Sequence, residues 1–334
     1  MIIRRIKEFI VKIIPGSLVR LFASPYVAGL GMEKGVATAK QLWEQRGIYS
    51  TLDLLGEAVE TMDLVERNVK YYKGLLDLIN KEGANHQITV SLKLSSMGIH
   101  ESKEYCIQKL EEVLSHADQY GIPVTIDMED STLTEITLQI YKELLPNHPT
   151  LGIVLQTSLY RTEKDVEGFS KKNRIRLVIG IYKEPPSIAL QNKPEMKRQI
   201  VNFTEKLVDT GNYVEIATHD VKTIHEVFDL IDRKKYSPDQ IEFQMLLGVP
   251  RDKTHKEIQE KGFKIRLYVP FAMNWGDSIA YLKRRLLENP QIVLYVLQNL
   301  LKPRKIRTAK LKKKKYLFFN GGSTFLILFR ILIS

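Results

Sequence analysis

Seven short apolar runs recur along the chain, and each is separated from the next by a stretch long enough to form a helix. They cover residues 88–95, 124–130, 151–158, 174–182, 214–220, 241–247 and 264–270. Strands that alternate with helical stretches are typical of parallel βαβ units. The pattern therefore predicts a parallel sheet with helices packed against it.

The runs are not uniformly apolar, as the strands of a parallel sheet with two buried faces would be. In the first run, Ser91, Lys93 and Ser95 share one face, and the opposite face is apolar. Polar residues an even number of positions apart repeat this split in the other runs: Asp127 and Glu129, Gln156 and Ser158, Arg174 and Arg176, Glu215 and His219, Glu242 and Gln244, and Arg266 and Tyr268. Helices outside and polar groups inside predict an α/β fold of the (β/α)8 type, a TIM-like barrel with a polar lumen. A purely apolar core explains the pattern less well, because burying so many charges without partners is costly.

The segment before the first run is predicted to be an N-terminal helical arm. Residues 1–22 mix apolar and basic side chains, which predicts an amphipathic helix that docks on the barrel or touches a membrane. A secretory signal is disfavoured, because Lys12 and Pro15 interrupt the apolar core that such a signal needs. From Thr38 to Lys81 the pattern reads as helical throughout. We therefore divide the chain into a helical arm at 1–85, a barrel at 86–302 and a tail at 303–334.

The positive charge of the chain is concentrated in its tail. The formal net charge is +11, but from Lys302 onward there are ten Lys/Arg and no Asp/Glu, so the first 301 residues carry only +1. A near-neutral body argues against a nucleic-acid partner. The basic part of the tail leads into an apolar end that Asn320, Gly321, Gly322 and Arg330 interrupt, so it is too short and broken for a transmembrane helix. Two interpretations stay open: an anchor on an anionic membrane surface, or a spurious extension of the chain.

A single cysteine, Cys106, excludes an internal disulfide and fits a reducing compartment such as the cytoplasm. We expect it to pack as a small apolar residue in a helix at about 103–119. The seven histidines are scattered, and no Cys/His cluster has the spacing of a zinc site, so we predict no metal.

The stretch YLKRRLLEN at 281–289 sets two arginines and a glutamate on neighbouring turns of a helix. Glu288 lies four residues after Arg284 and three after Arg285, so one carboxylate can brace both guanidinium groups. Two planar forks held in this way suit the binding of a small anion. An exposed helix with a salt bridge is the commoner meaning of such a motif taken alone.

Eight of these stretches, in order, resemble the motifs of the proline dehydrogenase family over roughly residues 85 to 300. They are SLKLS, TIDMED, GIVLQTSLYR, RLVIGIYKEP, YVEIATHD, FQMLLG, RLYVP and YLKRRLLEN. The resemblance is to the short bacterial form with a single activity. It implies a distorted (β/α)8 barrel that binds FAD, oxidises L-proline to Δ1-pyrroline-5-carboxylate and passes electrons to membrane quinone. Such a protein would lie in the cytoplasm, peripherally on the inner face of the cell membrane.

The resemblance also gives roles to the candidate substrate residues. Arg284 and Arg285 would hold the proline carboxylate, Glu288 would orient them, and Lys93 would add a third cation. Asp127 lies within a strand, where an unpaired carboxylate would be expensive, so we expect an Arg or Tyr partner. Tyr182, Leu246 and Tyr268 resemble the walls of the site, and the bulk of Tyr268 would crowd a ring hydroxyl, which favours proline over hydroxyproline.

For FAD, the resemblance points to Arg176 beside the flavin N5 and to Gln156 at the ring edge. Val178, Gly180, Thr218 and His219 complete the expected cofactor contacts. One position departs from the family pattern, which reads RLVKGAY where this chain reads RLVIGIY, so a lysine that contacts FAD is replaced by Ile179. Strand alternation would put Ile179 and Ile181 on the apolar side. The sequence thus leaves open an inactive or flavin-poor relative that acts as a binding protein, and a hydroxyproline dehydrogenase.

Overall fold

A closed barrel of eight parallel strands forms the centre of the protein in the computed structural model, which describes residues 25–56, 59, 61–170 and 172–288. The strands are β1 (Tyr49–Leu55), β2 (Ile88–Leu92), β3 (Val124–Ile126), β4 (Gly152–Gln156), β5 (Arg174–Val178), β6 (Tyr213–Ala217), β7 (Ile241–Leu246) and β8 (Lys264–Ala272). Each strand pairs with the next along the chain, and β8 pairs with β1. The predicted (β/α)8 barrel is confirmed.

Helices follow the strands around the outside of the barrel. In the described part of the chain they are α1 (Met32–Arg46), α2 (Met62–Lys81), α3 (Lys103–Gln119), α4 (Ser131–Leu144), α5 (Thr162–Glu167), α6 (Lys193–Asp209), α7 (Val221–Lys234), α8 (Asp252–Glu260) and α9 (Trp275–Glu288), with a 3-10 turn at Leu94–Ser96. The helix predicted at about 103–119 is confirmed as α3, and Cys106 is buried in it. None of the helices described is both long and apolar enough to cross a membrane.

The polar face of the strands lines the inside of the barrel, as the alternation predicts. Arg266 Nε lies 2.6 Å from Glu242 Oε1, and Arg174 Nε lies 2.9 Å from Glu215 Oε1. The hydroxyls of Thr51 and Thr89 are 2.9 Å apart between β1 and β2. These pairings offset the cost of removing the charges from water. The apolar face of the strands packs instead against the helices in one continuous core.

The prediction that residues 38–81 are helical throughout is wrong at Tyr49–Leu55, which is β1. The flanking parts are helical, as α1 and α2. Gly47 ends α1 in the left-handed conformation, and the next seven-residue stretch is hydrogen-bonded on both sides, to β2 and β8. Pairing on two sides outweighs a local helical pattern. The barrel therefore begins well before residue 86. The amphipathic helix expected within residues 1–22 and the tail expected at 303–334 lie outside the described residues.

In a barrel of this kind the carboxyl ends of the strands meet at one rim, where side chains from different strands converge. Asp53 lies near the end of β1, Lys93 follows β2, Asp127 follows β3 and Gln156 ends β4. Val178 ends β5 and Leu246 ends β7, and Tyr268, in the middle of β8, pairs with Leu246. Lys93, Asp127, Gln156, Val178, Leu246 and Tyr268 thus lie toward the same rim.

Candidate active site

The carboxylate of Asp127 is the point at which side chains from three strands, β2, β5 and β8, converge. Its Oδ1 accepts hydrogen bonds from Arg176 Nη1 at 2.7 Å and from Ser91 Oγ at 3.1 Å. Its Oδ2 accepts one from the Tyr268 hydroxyl at 2.5 Å and lies 3.4 Å from Lys93 Nζ. The expected Arg or Tyr partner of Asp127 is confirmed, since both are present.

Lys93 lies between two carboxylates. Its Nζ is 2.7 Å from Asp53 Oδ1, closer than it is to Asp127, and its side chain stays 31% exposed while that of Asp53 is only 3% exposed. Asp53 is not among the residues predicted from the sequence, because the helix predicted over 38–81 includes its segment. Read as a strand, the same segment puts Asp53 two residues after Thr51 on the inner face, and this alternation is the signal that could have identified it.

Burial and neighbouring charges together determine the protonation states of Lys93 and Tyr268. Burial raises the pKa of Asp53, and Lys93 partly offsets this effect. Burial lowers the pKa of Lys93, but the negative charges of Asp53 and Asp127 outweigh it and hold the pKa well above its ordinary value. Burial, followed by the negative charge of Asp127, raises the pKa of Tyr268 well above its ordinary value. Lys93 therefore stays an ammonium ion and Tyr268 a neutral hydroxyl donor at neutral pH.

Arg176 brings a permanent positive charge into the rim. Its side chain is 4% exposed, and its Nε lies 3.4 Å from Glu215 Oε2. Burial lowers the pKa of Arg176, but Asp127 and Glu215 more than compensate and raise it. Within the described part of the chain its Nη2 is buried without a hydrogen-bond partner. Burial raises the pKa of Glu215, but Arg174, Arg176 and Arg266 outweigh it and lower that pKa to about 2.

Gln156 presents an acceptor at the end of β4, the strand that pairs with the strand of Arg176. Its Nε2 donates to the Glu129 carbonyl at 3.0 Å, which turns its Oε1 away, buried and without a partner among the described residues. Glu129 is itself fixed by the backbone N–H of Ser95 at 2.9 Å. An unpaired donor on Arg176 and an unpaired acceptor on Gln156 suit the polar edge of a planar ring.

Gly180 lies over Gln156 and is held in a backbone conformation that favours glycine. Its φ is +91°, and a Cβ there would stand 2.7 Å from Ser158 Oγ. The chain turns away from the strand at this point, so Ile181 and Tyr182 are 49% and 38% exposed. The expected apolar position is confirmed for Ile179, which packs against the core, but is wrong for Ile181, because the positive φ of Gly180 ends the alternation between them.

Thr218 and His219 follow β6 and lie beside the end of β7. His219 Nε2 accepts the backbone N–H of Leu246 at 3.3 Å, which leaves the ring proton on Nδ1 when the ring is neutral. The hydroxyl of Thr218 accepts the N–H of Asp220 at 3.2 Å. These contacts order the loop after β6, so His219 has a structural role irrespective of any cofactor.

Arg284, Arg285 and Glu288 fall on α9, which confirms that this motif is helical. Their side chains lie outside the described part of the protein, so the clamp that they are expected to form stays a prediction. Among the described residues there is no group of three or more His, Cys, Asp or Glu that could hold a metal ion.

Comparison with known proteins gives matches along most of the chain. The family model described as proline dehydrogenase matches residues 36–182 and 190–295. Proline dehydrogenase 1 of Bacillus subtilis subsp. natto is 35% identical over 286 residues, covering 85% of this chain and 92% of that protein. Proline dehydrogenase of Deinococcus radiodurans is 31% identical over 287 residues, covering 84% and 90%.

Among solved structures, proline utilization A (PutA) from Bdellovibrio bacteriovorus, inactivated by N-propargylglycine, superposes with a TM-score of 0.72 at 22% identity. The match covers 90% of this chain but only 37% of that longer one. At this identity the likeness shows the fold alone.

Proposed function

The chain belongs to the proline dehydrogenase family, and we propose that it oxidises L-proline to Δ1-pyrroline-5-carboxylate with FAD as its cofactor. It is of the short, single-activity type, since it spans nearly the whole length of its Bacillus and Deinococcus relatives. The observation that carries the proposal is the fixed Asp127 group at the rim. There Lys93, Arg176 and Tyr268 converge from separate strands on one carboxylate.

Oxidation of proline removes a hydride from C5 and a proton from the nitrogen, and it leaves a C=N bond. The substrate must be held by its carboxylate so that the reactive carbon stays in place. Lys93 offers a partly exposed ammonium group for this purpose, and we assign the two remaining cations to Arg284 and Arg285, oriented by Glu288. Tyr182, Leu246 and Tyr268 would form the walls around the ring.

Lys93 and Tyr268 both hold their protons at neutral pH, because the pKa of each is raised well above its ordinary value. They therefore act as hydrogen-bond donors rather than as bases. Tyr268 is fixed at its hydroxyl by Asp127, and its ring lies 5.5 Å from the guanidinium carbon of Arg176. A ring fixed at its hydroxyl and with a guanidinium group over its face cannot easily swing aside for a hydroxylated substrate, so hydroxyproline should react poorly.

The residues at the rim fit the cofactor. FAD, when bound, would supply the two-electron acceptor for the hydride. The unpaired Nη2 of Arg176 would place positive charge where negative charge develops, and the unpaired Oε1 of Gln156 would accept a hydrogen bond from the ring edge. Gly180 keeps the surface over Gln156 free of a side chain. We assign Val178, Thr218 and His219 to the remaining contacts.

We further propose membrane quinone as the final electron acceptor and a peripheral position on the inner, cytoplasmic face of the cell membrane. The basic, partly apolar tail at 303–334 supports this proposal, since such a segment is attracted to anionic lipid. The barrel itself needs no such contact for proline oxidation, so a soluble dye should replace the quinone in an assay.

The test is the visible spectrum of the purified protein after incubation with FAD and removal of the excess. We expect a flavin absorbance that L-proline bleaches under anaerobic conditions and that trans-4-hydroxyproline bleaches far more slowly. Bound flavin that proline does not bleach would refute the activity, and a failure to retain any flavin would favour a flavin-poor binding protein. Ile179 is the observation behind that second candidate, because an apolar side chain occupies the family's lysine position.

A further inference from the structure

The loop that joins β5 to α6, residues 179–192, carries Tyr182 and is tied to a helix across the rim. The Glu184 carboxylate accepts the backbone N–H of Ser131 at 2.8 Å through Oε1 and the Ser131 hydroxyl at 2.6 Å through Oε2. Ser131 is the first residue of α4, where the helix leaves backbone N–H groups without partners and where the helix dipole favours negative charge. Both carboxylate oxygens of Glu184 thus accept hydrogen bonds from Ser131.

The rest of the loop is held from the opposite side. The N–H of Tyr160 donates to the Ile188 carbonyl at 3.0 Å, and that of Leu190 donates to the Ser158 carbonyl at 2.8 Å. At the start of the loop, the Ser158 N–H donates to the Ile179 carbonyl at 3.1 Å. Tyr182 therefore lies between two fixed points, the Ile179–Gly180 turn before it and Glu184 two residues after it.

We propose that Glu184 is a positioning residue that acts through the loop: by binding the first residue of α4, its carboxylate sets where Tyr182 stands at the rim. The α4 end already has its own acidic cap, since Asp130 accepts the Thr132 N–H at 3.0 Å. Glu184 is therefore not needed to cap the helix, and its contact with Ser131 orders the loop. The consequence for proline binding rests on the proposed function, in which Tyr182 is a wall of the substrate site.

Hydrogen–deuterium exchange of the peptide spanning 181–190 in the full-length protein tests whether the contact between Glu184 and Ser131 orders the loop. Glu184→Ala should raise exchange there about tenfold, as expected for the loss of a charge-assisted hydrogen bond. Glu184→Gln, which keeps an acceptor oxygen, should give a smaller rise. Asp130→Asn alters the same helix end without touching the loop, so it should leave exchange in 181–190 unchanged.

A double-mutant cycle identifies the partner. Ser131→Ala removes the hydroxyl but keeps the backbone donor, so it should raise exchange in 181–190 less than Glu184→Ala does. Added to Glu184→Ala, it should cause no further rise. Additive effects, or exchange in Glu184→Ala equal to that of the parent, would overturn the proposal.

Steady-state kinetics test the positioning of Tyr182. Glu184→Ala should raise KM for L-proline several-fold while kcat stays within about twofold, because remote binding contacts are lost and the reacting groups are kept. Glu184→Gln should restore part of the affinity. Faster exchange in 181–190 with an unchanged KM would refute the positioning role. A parent protein that does not oxidise proline would refute the proposed function. The exchange experiment would still show whether Glu184 orders the loop through Ser131.

Discussion

Asp127 shows how one partly buried carboxylate can organise a site. Its two oxygens accept hydrogen bonds from Ser91, Lys93, Arg176 and Tyr268. Ser91 lies in β2 and Lys93 directly after it, Arg176 lies in β5 and Tyr268 in β8. Hydrogen bonds to a charged group are stronger than neutral ones, and a buried charge left without them would be costly. The carboxylate therefore links three strands at the rim and orients the groups that we propose to face the substrate.

Asp53 is expected to matter as much for Lys93 as Asp127 does. In Asp53→Asn, Lys93 loses its charged partner at 2.7 Å and keeps only Asp127 at 3.4 Å. The ammonium group should shift toward Asp127, and kcat/KM for L-proline should fall by about tenfold or more. Glu82→Gln is a matched control, because it breaks a Lys–Glu pair of 2.6 Å on the surface. Proline oxidation at the parental rate in Asp53→Asn would contradict this role.

Ile179 is expected to limit flavin affinity. Ile179→Lys restores the cation that the family pattern has at this position, so we predict a lower dissociation constant for FAD, measured by fluorescence titration of the apoprotein. Ile181→Lys adds the same charge two residues later on an exposed side chain, and it serves as the control. If both variants bind FAD like the parent, other groups have taken over the contact.

At the scale of elements, strands with a clear polar and apolar face could be predicted from the sequence. The barrel, its polar lumen and the Arg or Tyr partner of Asp127 all follow from alternation of period two. β1 could not be recognised, because Tyr49–Leu55 lies between two strongly helical stretches and owes its conformation to β2 and β8. Asp53 was missed for the same reason. Ile181 was misplaced because a left-handed glycine ends the alternation, which the residue pattern does not reveal.

A buried histidine between α4 and β4 should make stability depend on pH. His148 Nδ1 lies 2.5 Å from Asp118 and Nε2 lies 2.8 Å from Glu111, both on α3. Burial lowers the pKa of His148, but the two carboxylates outweigh it and raise the pKa above its ordinary value. Its contribution is then fully present below the unfolded pKa of about 6.5 and is lost as pH rises through the folded pKa. His148→Asn should cost on the order of 1 kcal/mol at pH 5.5 and less at pH 8.5.

His255 provides the opposite control in the same denaturation experiment. Burial, followed by the charge of Arg46, lowers the pKa of His255 to about 4. The stability from its neutral form is present above about pH 6.5 and is lost as pH falls toward 4. The difference in urea midpoint between each variant and the parent, measured between pH 4.5 and 8.5, should therefore change with pH in opposite directions for His148→Asn and His255→Asn. Parallel pH curves for the two variants and the parent would contradict both assignments.

For the whole molecule, the concentration of positive charge in the tail predicts that the barrel oxidises proline and the tail binds the membrane, independently of each other. A protein ending at Lys302 should keep full proline oxidation with a soluble dye, because the barrel rim is intact. It should lose binding to anionic vesicles at low salt, since each lysine near such a surface contributes about 1 kcal/mol and salt screens that attraction. Vesicles without anionic lipid are the control. Equal sedimentation of the full and shortened proteins with anionic vesicles would identify the tail as dispensable.

The pairing of β1 with β8 has a consequence for how the protein is made. All seven residues of β1 pair with β8, and Arg266 of β8 donates to the carbonyl of Ser50, 216 positions earlier in the chain. The barrel cannot close until Lys264–Ala272 has left the ribosome, so the edge of β1 that pairs with β8 stays unpaired through most of synthesis. Contacts this distant form slowly, and open edges invite pairing with other chains. Newly made protein is therefore most vulnerable to aggregation just before its last strand emerges, and chains that stop before residue 264 never leave that state.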